Sequence, residues 1–94
     1  MSNRPTENRT TEEDKEAKLQ AFWENARRGV LTFLAEQGES LRLDRLHDYS
    51  LKTYFIQHQR FSLMMETFVD EALIEYDDAT QVATITEKGR AFIR

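Results

Sequence analysis

One amphipathic stripe in the first part of the sequence constrains the fold more than any other feature. Its apolar residues follow one another at steps of three, four or one, the period of a helix that buries one face. They are Leu19, Phe22, Trp23, Ala26, Val30, Phe33 and Leu34. Thr10 or Thr11 can cap the start of this helix, and Gly38 stands where a C-cap belongs. Inside the stripe, Gly29 indicates close helix packing, with a hinge as the alternative.

The composition restricts the chain to one small domain. Its 94 residues, of which 39% are hydrophobic, supply one compact core and not two. Cysteine is absent, which excludes a disulfide framework, thiolate zinc sites and a cysteine nucleophile. The sequence has no apolar run as long as a membrane span and no signal-peptide pattern, so we expect a cytoplasmic protein without membrane contact.

The sequence predicts a short tail followed by six elements. Residues 1–10 are polar and have no apolar period, so we expect a disordered tail ahead of a single domain over residues 11–94. The elements are in the order helix, strand, helix, helix, hairpin, helix. After the first helix they are a strand at 40–43, a helix at 45–49 with 50–56 as a turn or an extension of it, a helix at about 57–72, hairpin strands at 73–76 and 81–85, and a last helix capped by Thr86.

Two motifs resemble those of the winged-helix domain family, prokaryotic type. EALIEY at 71–76 is similar to the segment that leaves the recognition helix, with Ala72 where the family usually has glycine. ITEKGRAFI at 85–93 is similar to the stretch with which many bacterial and archaeal members end the wing and open a last helix. The resemblance covers about residues 26–94. It implies a mainly α winged-helix fold with a small β-hairpin, and here the first helix is extended at its N-terminus.

Positive charge is concentrated in residues 40–60. This segment has four basic and two acidic side chains, although the whole chain has a net charge of -4. In the winged-helix family the third helix enters the DNA major groove, so the resemblance implies that this segment contacts double-stranded DNA. Arginine and glutamine can bind base edges, and lysine and threonine suit phosphates. The candidate DNA-binding residues are Arg42, Arg45, Lys52, Thr53, Tyr54, Gln57, Gln59 and Arg60.

Acidic residues in the second half of the chain favour an alternative. Asp77 and Asp78 occupy the expected wing tip, where they repel phosphates, and Glu66 and Asp70 add negative charge to the third helix. A winged helix with an acidic wing can instead dock a basic protein partner and not bind DNA. The sequence leaves both interpretations open.

The first helix predicts a second surface. A winged-helix core needs only about residues 25–37 of this element, so Leu19, Phe22 and Trp23 extend beyond it. An exposed apolar patch of this kind is most simply covered by a second copy of the chain, which predicts a homodimer. For Trp23, packing onto the last helix of its own chain is the alternative.

The sequence offers no catalytic constellation. His47 and His58 lie in different predicted elements without a third ligand, which argues against a metal site. No glycine-rich phosphate loop and no nucleophile elbow are present. We therefore expect a non-enzyme without cofactor or metal: a prokaryotic transcriptional regulator that acts as a dimer through its third helix.

Overall fold

The computed structural model describes residues 4–94, with side chains described from Asp14 onward. The elements in chain order are α1 (Arg4–Glu36), β1 (Ser40–Arg42), α2 (Leu43–Tyr54), α3 (His58–Asp70), β2 (Ile74–Asp77), β3 (Val82–Ile85) and α4 (Glu87–Ile93). This order confirms the predicted fold class, a mainly α winged helix with a small hairpin and a long first helix. Of the ambiguous segment 50–56, residues 50–54 extend the second predicted helix, because α2 continues to Tyr54, and Phe55 caps its end.

The start of α1 differs from the sequence prediction. The helix begins at Arg4, ahead of the threonines that were expected to cap it. The tail predicted over residues 1–10 therefore overlaps the bounds of α1, and residues 1–3 lie outside the described part. The division of the chain into a tail and a domain over 11–94 stays a prediction.

The three strands form an antiparallel sheet in the order β1-β3-β2. The central strand, β3, carries the fully buried Ala83. Between β2 and β3 the chain turns at Asp77, whose carbonyl oxygen accepts from the backbone N of Gln81 at 2.7 Å. The Asp77 side chain also accepts from the backbone N of Ala79 at 2.9 Å, as in an Asx turn. The wing tip is thus shaped by one of the aspartates predicted there.

The chain leaves α3 through a left-handed residue. Ala72 has φ 61°, and the backbone N of Leu73 donates to the carbonyl oxygen of Phe68 at 2.8 Å. The backbone N of Ala72 donates to that of Val69 at 3.0 Å, which completes a Schellman motif. Glycine adopts this conformation at the lowest cost because it lacks Cβ. The geometry explains why the family usually has glycine where this chain has Ala72.

The core lies between the helices and one face of the sheet. Its buried apolar residues are Ala26, Val30, Leu31, Leu34, Leu46, Ile56, Phe61, Met64, Met65, Phe68, Leu73, Ile74, Ala83 and Ile85. Helix α1 packs against α2 at Gly29, where an added Cβ would overlap the Tyr54 hydroxyl group. This overlap confirms the interpretation of Gly29 as a packing site.

A buried arginine connects α1 to the end of α3 and to α4. The Arg27 guanidinium donates to the Glu71 carboxylate at 2.8 Å and to that of Glu24 at 3.1 Å. Its central carbon also lies 5.3 Å from the ring centroid of Phe68 and 5.6 Å from that of Phe92. These stacked rings shield the charge while the two carboxylates compensate it. Arg27 therefore joins α1 to the end of α3 and to α4.

Candidate nucleic-acid interface

The first turn of α3 presents polar side chains to solvent. Gln57 is the N-cap residue, with extended backbone (φ -76°, ψ 166°), and its side chain forms no capping hydrogen bond. Gln59 and Arg60 follow in the first turn, and all three residues are exposed. Two amides and a guanidinium are thus available at this helix end to form hydrogen bonds with a ligand.

The last turn of α2 adds Lys52 and Thr53, both exposed, to the same region. The Lys52 Nζ atom lies 3.2 Å from Oδ2 of Asp48, one helical turn earlier. Exposed pairs of this spacing contribute only about 0.3–0.5 kcal/mol. Lys52 can therefore exchange this carboxylate for a phosphate at little cost. We call Lys52, Thr53, Gln57, Gln59 and Arg60 the turn surface.

Arg42 and Arg45 lie apart from the turn surface, at the start of α2. Arg42 is paired with Val82 across the sheet, which places it beside the turn of the wing. Its Nε atom lies 3.4 Å from Oδ1 of Asp44, and both side chains are exposed. Arg45 is exposed as well, about 10 Å along the α2 axis from Lys52. The predicted DNA-binding residues thus form two patches rather than one.

The structure does not bring Tyr54 into either patch. Tyr54 follows the buried Ser50 by one turn on the face of α2 that meets α1, and it is half-buried over Gly29. Its ring makes edge-to-face contacts with those of Phe22, at 6.3 Å between centroids, and Tyr49, at 6.1 Å. Burial, and then the neighbouring Tyr49 phenol, raise the pKa of Tyr54 above its usual 10.0. The position of Tyr54 is that of a helix-packing residue.

Exposed apolar side chains border the turn surface, and sequence reasoning missed them. Phe55 is 81% exposed and has φ 59°, a left-handed conformation that bulky residues rarely adopt. Leu51 and Leu63 are also exposed. A signal was available, because Leu51 and Phe55 fall outside the helical face that holds Leu46. Apolar groups in this position can contact thymine methyl groups or another apolar surface.

The wing is acidic, as its sequence predicts. Asp77 and Asp78 are exposed at the turn between β2 and β3. Residues 74–85 contain no lysine or arginine, so the wing has no cation with which to bind a phosphate. The wing residues themselves therefore offer no positive charge for a contact with DNA.

The predicted dimer residues on α1 have different surroundings. Leu19 is 68% exposed and Phe22 is 46% exposed, as a surface that contacts a partner requires. Trp23 is half-buried and packs against the core of its own chain. The apolar patch available to a second copy is thus centred on Leu19 and Phe22.

The two histidines, which belong to different helices, meet in the structure. The ring centroids of His47 and His58 are 5.6 Å apart because α2 and α3 pack against each other. Among the side chains described, no group of three or more His, Cys, Asp or Glu is arranged to hold a metal ion. Within residues 4–94, none of the helices is both long enough and apolar enough to span a membrane.

Comparison with solved structures identifies a similar fold in "F93 from STIV, a winged-helix DNA-binding protein". The match covers 81% of this chain and 80% of that chain, with a TM-score of 0.58 and 20% sequence identity. At this identity the similarity establishes a shared winged-helix fold, and a fold by itself does not determine function. No protein-family model matches the sequence, and no curated protein does.

Proposed function

We propose that the protein binds double-stranded DNA through the turn surface and acts as a dimeric transcriptional regulator in a prokaryotic cytoplasm. The observation that carries the proposal is the exposed group of Gln57, Gln59 and Arg60 at the start of α3. Their donors and acceptors are the ones that read adenine and guanine in the major groove. The solved structure with a similar fold is itself described as a DNA-binding protein.

The two patches have different tasks in this proposal. Arg60 and the glutamines contact base edges, whereas Lys52 and Thr53 hold the adjacent phosphates. Arg42 and Arg45 contact the backbone on the side of the wing. Because each phosphate contact acts mainly through counterion release, a surface with so few cations binds weakly as a single copy. A second copy doubles the number of cations and supplies a second half-site contact.

The test is a DNA-binding titration at several salt concentrations, on sequences selected from a random library. The Arg60→Ala variant should lose about 1–3 kcal/mol of discrimination at one base position. Lys52→Ala should weaken binding to all DNA sequences alike. It should also lower by about one the slope with which the logarithm of the affinity falls against the logarithm of the salt concentration. Lys88→Ala, an exposed lysine on α4, is the matched control and should change neither quantity. Absence of binding by the parent protein at low salt would contradict the proposal.

Dimerisation requires a separate test, since DNA binding does not report on it. Phe22→Glu places a charge in the Leu19–Phe22 patch, at an exposed position outside the buried core, and removes the ring contact with Tyr54. We expect this variant to remain folded and to elute as a monomer, whereas the parent elutes as a dimer. Light scattering that finds the parent monomeric at about tens of micromolar, where a modest interface is occupied, would exclude the dimer.

Charge reversal in the acidic wing separates two hypotheses, that the protein binds DNA and that it is an interaction module that docks a basic protein. Changing both Asp77 and Asp78 to lysine should strengthen DNA binding if the wing approaches phosphates, and leave it unchanged if the wing points away. In an interaction module the same charge reversal abolishes capture of the basic partner, while the parent fails to bind DNA at any salt concentration.

A further inference from the structure

A groove lies between α3 and the wing, beside the start of α2. Its volume is about 510 Å³, which falls within the range of pockets that hold small organic molecules. His58 lines the groove, but none of the five residues of the turn surface does. The groove is therefore separate from the residues proposed to contact DNA. None of the functions considered so far uses it.

Two rows of α3 side chains, each with a step of four residues, build the groove. The apolar row forms the floor and consists of Phe61, Met65 and Val69. The polar row forms one edge and consists of Ser62, Glu66 and Asp70. From the wing, Ile74 and Tyr76 of β2 also line the groove. The arrangement combines an apolar floor with a charged edge, as in sites for amphiphilic molecules.

The charge of the groove has a single sign. Three carboxylates line it, those of Asp44, Glu66 and Asp70, and no lysine or arginine does. Asp44 forms an ion pair with Arg42, with 3.4 Å between Oδ1 of Asp44 and Nε of Arg42. Among the side chains described, from Asp14 onward, no cation lies within ion-pair distance of Glu66 or Asp70. Like charges one helical turn apart repel each other, so a cation placed between Glu66 and Asp70 relieves a destabilising interaction.

Aromatic rings around the groove suit a flat ligand. Phe61 and Tyr76 line it, and the His47 ring lies 4.9 Å from that of Phe61. A planar cation gains dispersion and cation–π attraction from such rings, in addition to the contact with the apolar floor. An inorganic cation has no apolar body to occupy the floor, and an aromatic anion is repelled by the carboxylates.

We propose that this groove binds a small organic cation with a flat aromatic body. The body lies on Phe61, Met65 and Val69, and the positive charge lies between Glu66 and Asp70. This site does not depend on DNA binding, because its residues and its direct binding readout differ from those of the turn surface.

The probe for the test is N-methylquinolinium, titrated calorimetrically and by amide chemical shifts into the full chain. Quinoline, which has nearly the same shape and is uncharged at neutral pH, and 1-naphthoate, an anion, are the comparison ligands. We expect saturable binding of N-methylquinolinium, weaker binding of quinoline and the weakest binding of 1-naphthoate. The largest amide shifts should fall on residues 61–70.

Separate substitutions test the contribution of the carboxylates and that of the apolar floor. Glu66→Gln and Asp70→Asn should each weaken N-methylquinolinium binding by about two- to fivefold, the range of exposed ion pairs, and leave quinoline unchanged. Val69→Ser, at a half-exposed position, should weaken the binding of N-methylquinolinium and of quinoline alike. Glu75→Gln is the matched control, since Glu75 neighbours Ile74 and Tyr76 on β2 but points to the opposite face of the sheet.

Three outcomes would overturn the proposal. One is the absence of saturable N-methylquinolinium binding by the folded parent. The second is equal affinity for N-methylquinolinium and quinoline. The third is a loss of N-methylquinolinium affinity in Glu75→Gln as large as in Glu66→Gln. Such a result would indicate that the overall negative charge of the protein attracts the cation. Far-ultraviolet circular dichroism of each variant verifies that it is folded.

Discussion

The side chains described on α1 form two halves, residues 14–25 and residues 26–36, which belong to one continuous helix with one apolar period, yet the two halves differ in what covers them. In the second half Leu31 and Leu34 are 0% and 1% exposed, whereas in the first half Leu19 is 68% exposed and Phe22 46%. A helical period shows that an apolar face exists. It does not show whether the same chain supplies the surface that buries this face.

Gly29 stands near the boundary between the two halves. Beside it the last turn of α2 lies so close that the Tyr54 side chain occupies the space of a Cβ. On the N-terminal side of this approach, Phe22 meets the edge of the Tyr54 ring, and Leu19 extends farther out. The second half of α1 is therefore part of the domain core, and the first half is a surface that the domain displays.

The largest effect should come from truncating a leucine in each half. Leu31→Ala removes a fully buried side chain and should lower the free energy of unfolding by about 2–5 kcal/mol. Leu19→Ala is the matched change at an exposed position and should cost about 0.5 kcal/mol or less. Urea unfolding at low protein concentration measures both. Equal losses would show that the two halves are not distinct.

An intermediate effect is expected at the boundary itself. Gly29→Ala improves helix propensity by about 1 kcal/mol. We nevertheless expect it to destabilise the protein by about 1–3 kcal/mol, because the new methyl group overlaps the Tyr54 side chain. In a Tyr54→Ala background the same change should become neutral or stabilising. A double-mutant cycle measures this coupling, and its absence would mean that the helices separate at no cost.

The smallest effect is a pH dependence at the same contact. The raised pKa of Tyr54 means that the folded protein holds this phenolic proton more tightly than the unfolded chain. Its contribution to stability is therefore complete below pH 10.0, the usual pKa, and is lost as the pH rises above that value. Tyr54→Phe should reduce the alkaline fall in thermal stability. Tyr76→Phe, at an exposed tyrosine, is the control, and an equal reduction there would contradict the assignment.

Much of the fold could be predicted because its signals are local. The period of α1, the threonine cap of α4 and the alternation in the hairpin each arise within a few residues. Thr86 Oγ1 indeed accepts from the backbone N of Gly89 at 2.9 Å. The full length of α2 could not be predicted, because Ser50 interrupts its apolar pattern. Ser50 is buried all the same, since its hydroxyl donates to the carbonyl oxygen of Leu46 at 2.8 Å.

Less of the functional surfaces could be predicted, because they depend on residues distant in sequence. Arg27 resembles an ordinary polar residue of an amphipathic helix, and its partner Glu71 is 44 positions away. Tyr54 was expected in the DNA-binding surface because the sequence does not show which face of α2 meets α1. The two rows on α3 are visible in the sequence as four-residue steps, but the position of the wing strand β2 beside them is not.

The backbone at Phe55 has a consequence for selection experiments. A glycine there would relieve about 1–2 kcal/mol of left-handed strain, and the chain would lose no core contact because the ring is 81% exposed. A library screened only for heat tolerance should therefore enrich glycine at position 55 early. Such a screen would reshape the exposed edge between α2 and α3 while every buried side chain stayed in place. For this protein, a thermostable descendant is a poor substitute for the parent in any study of what the edge binds.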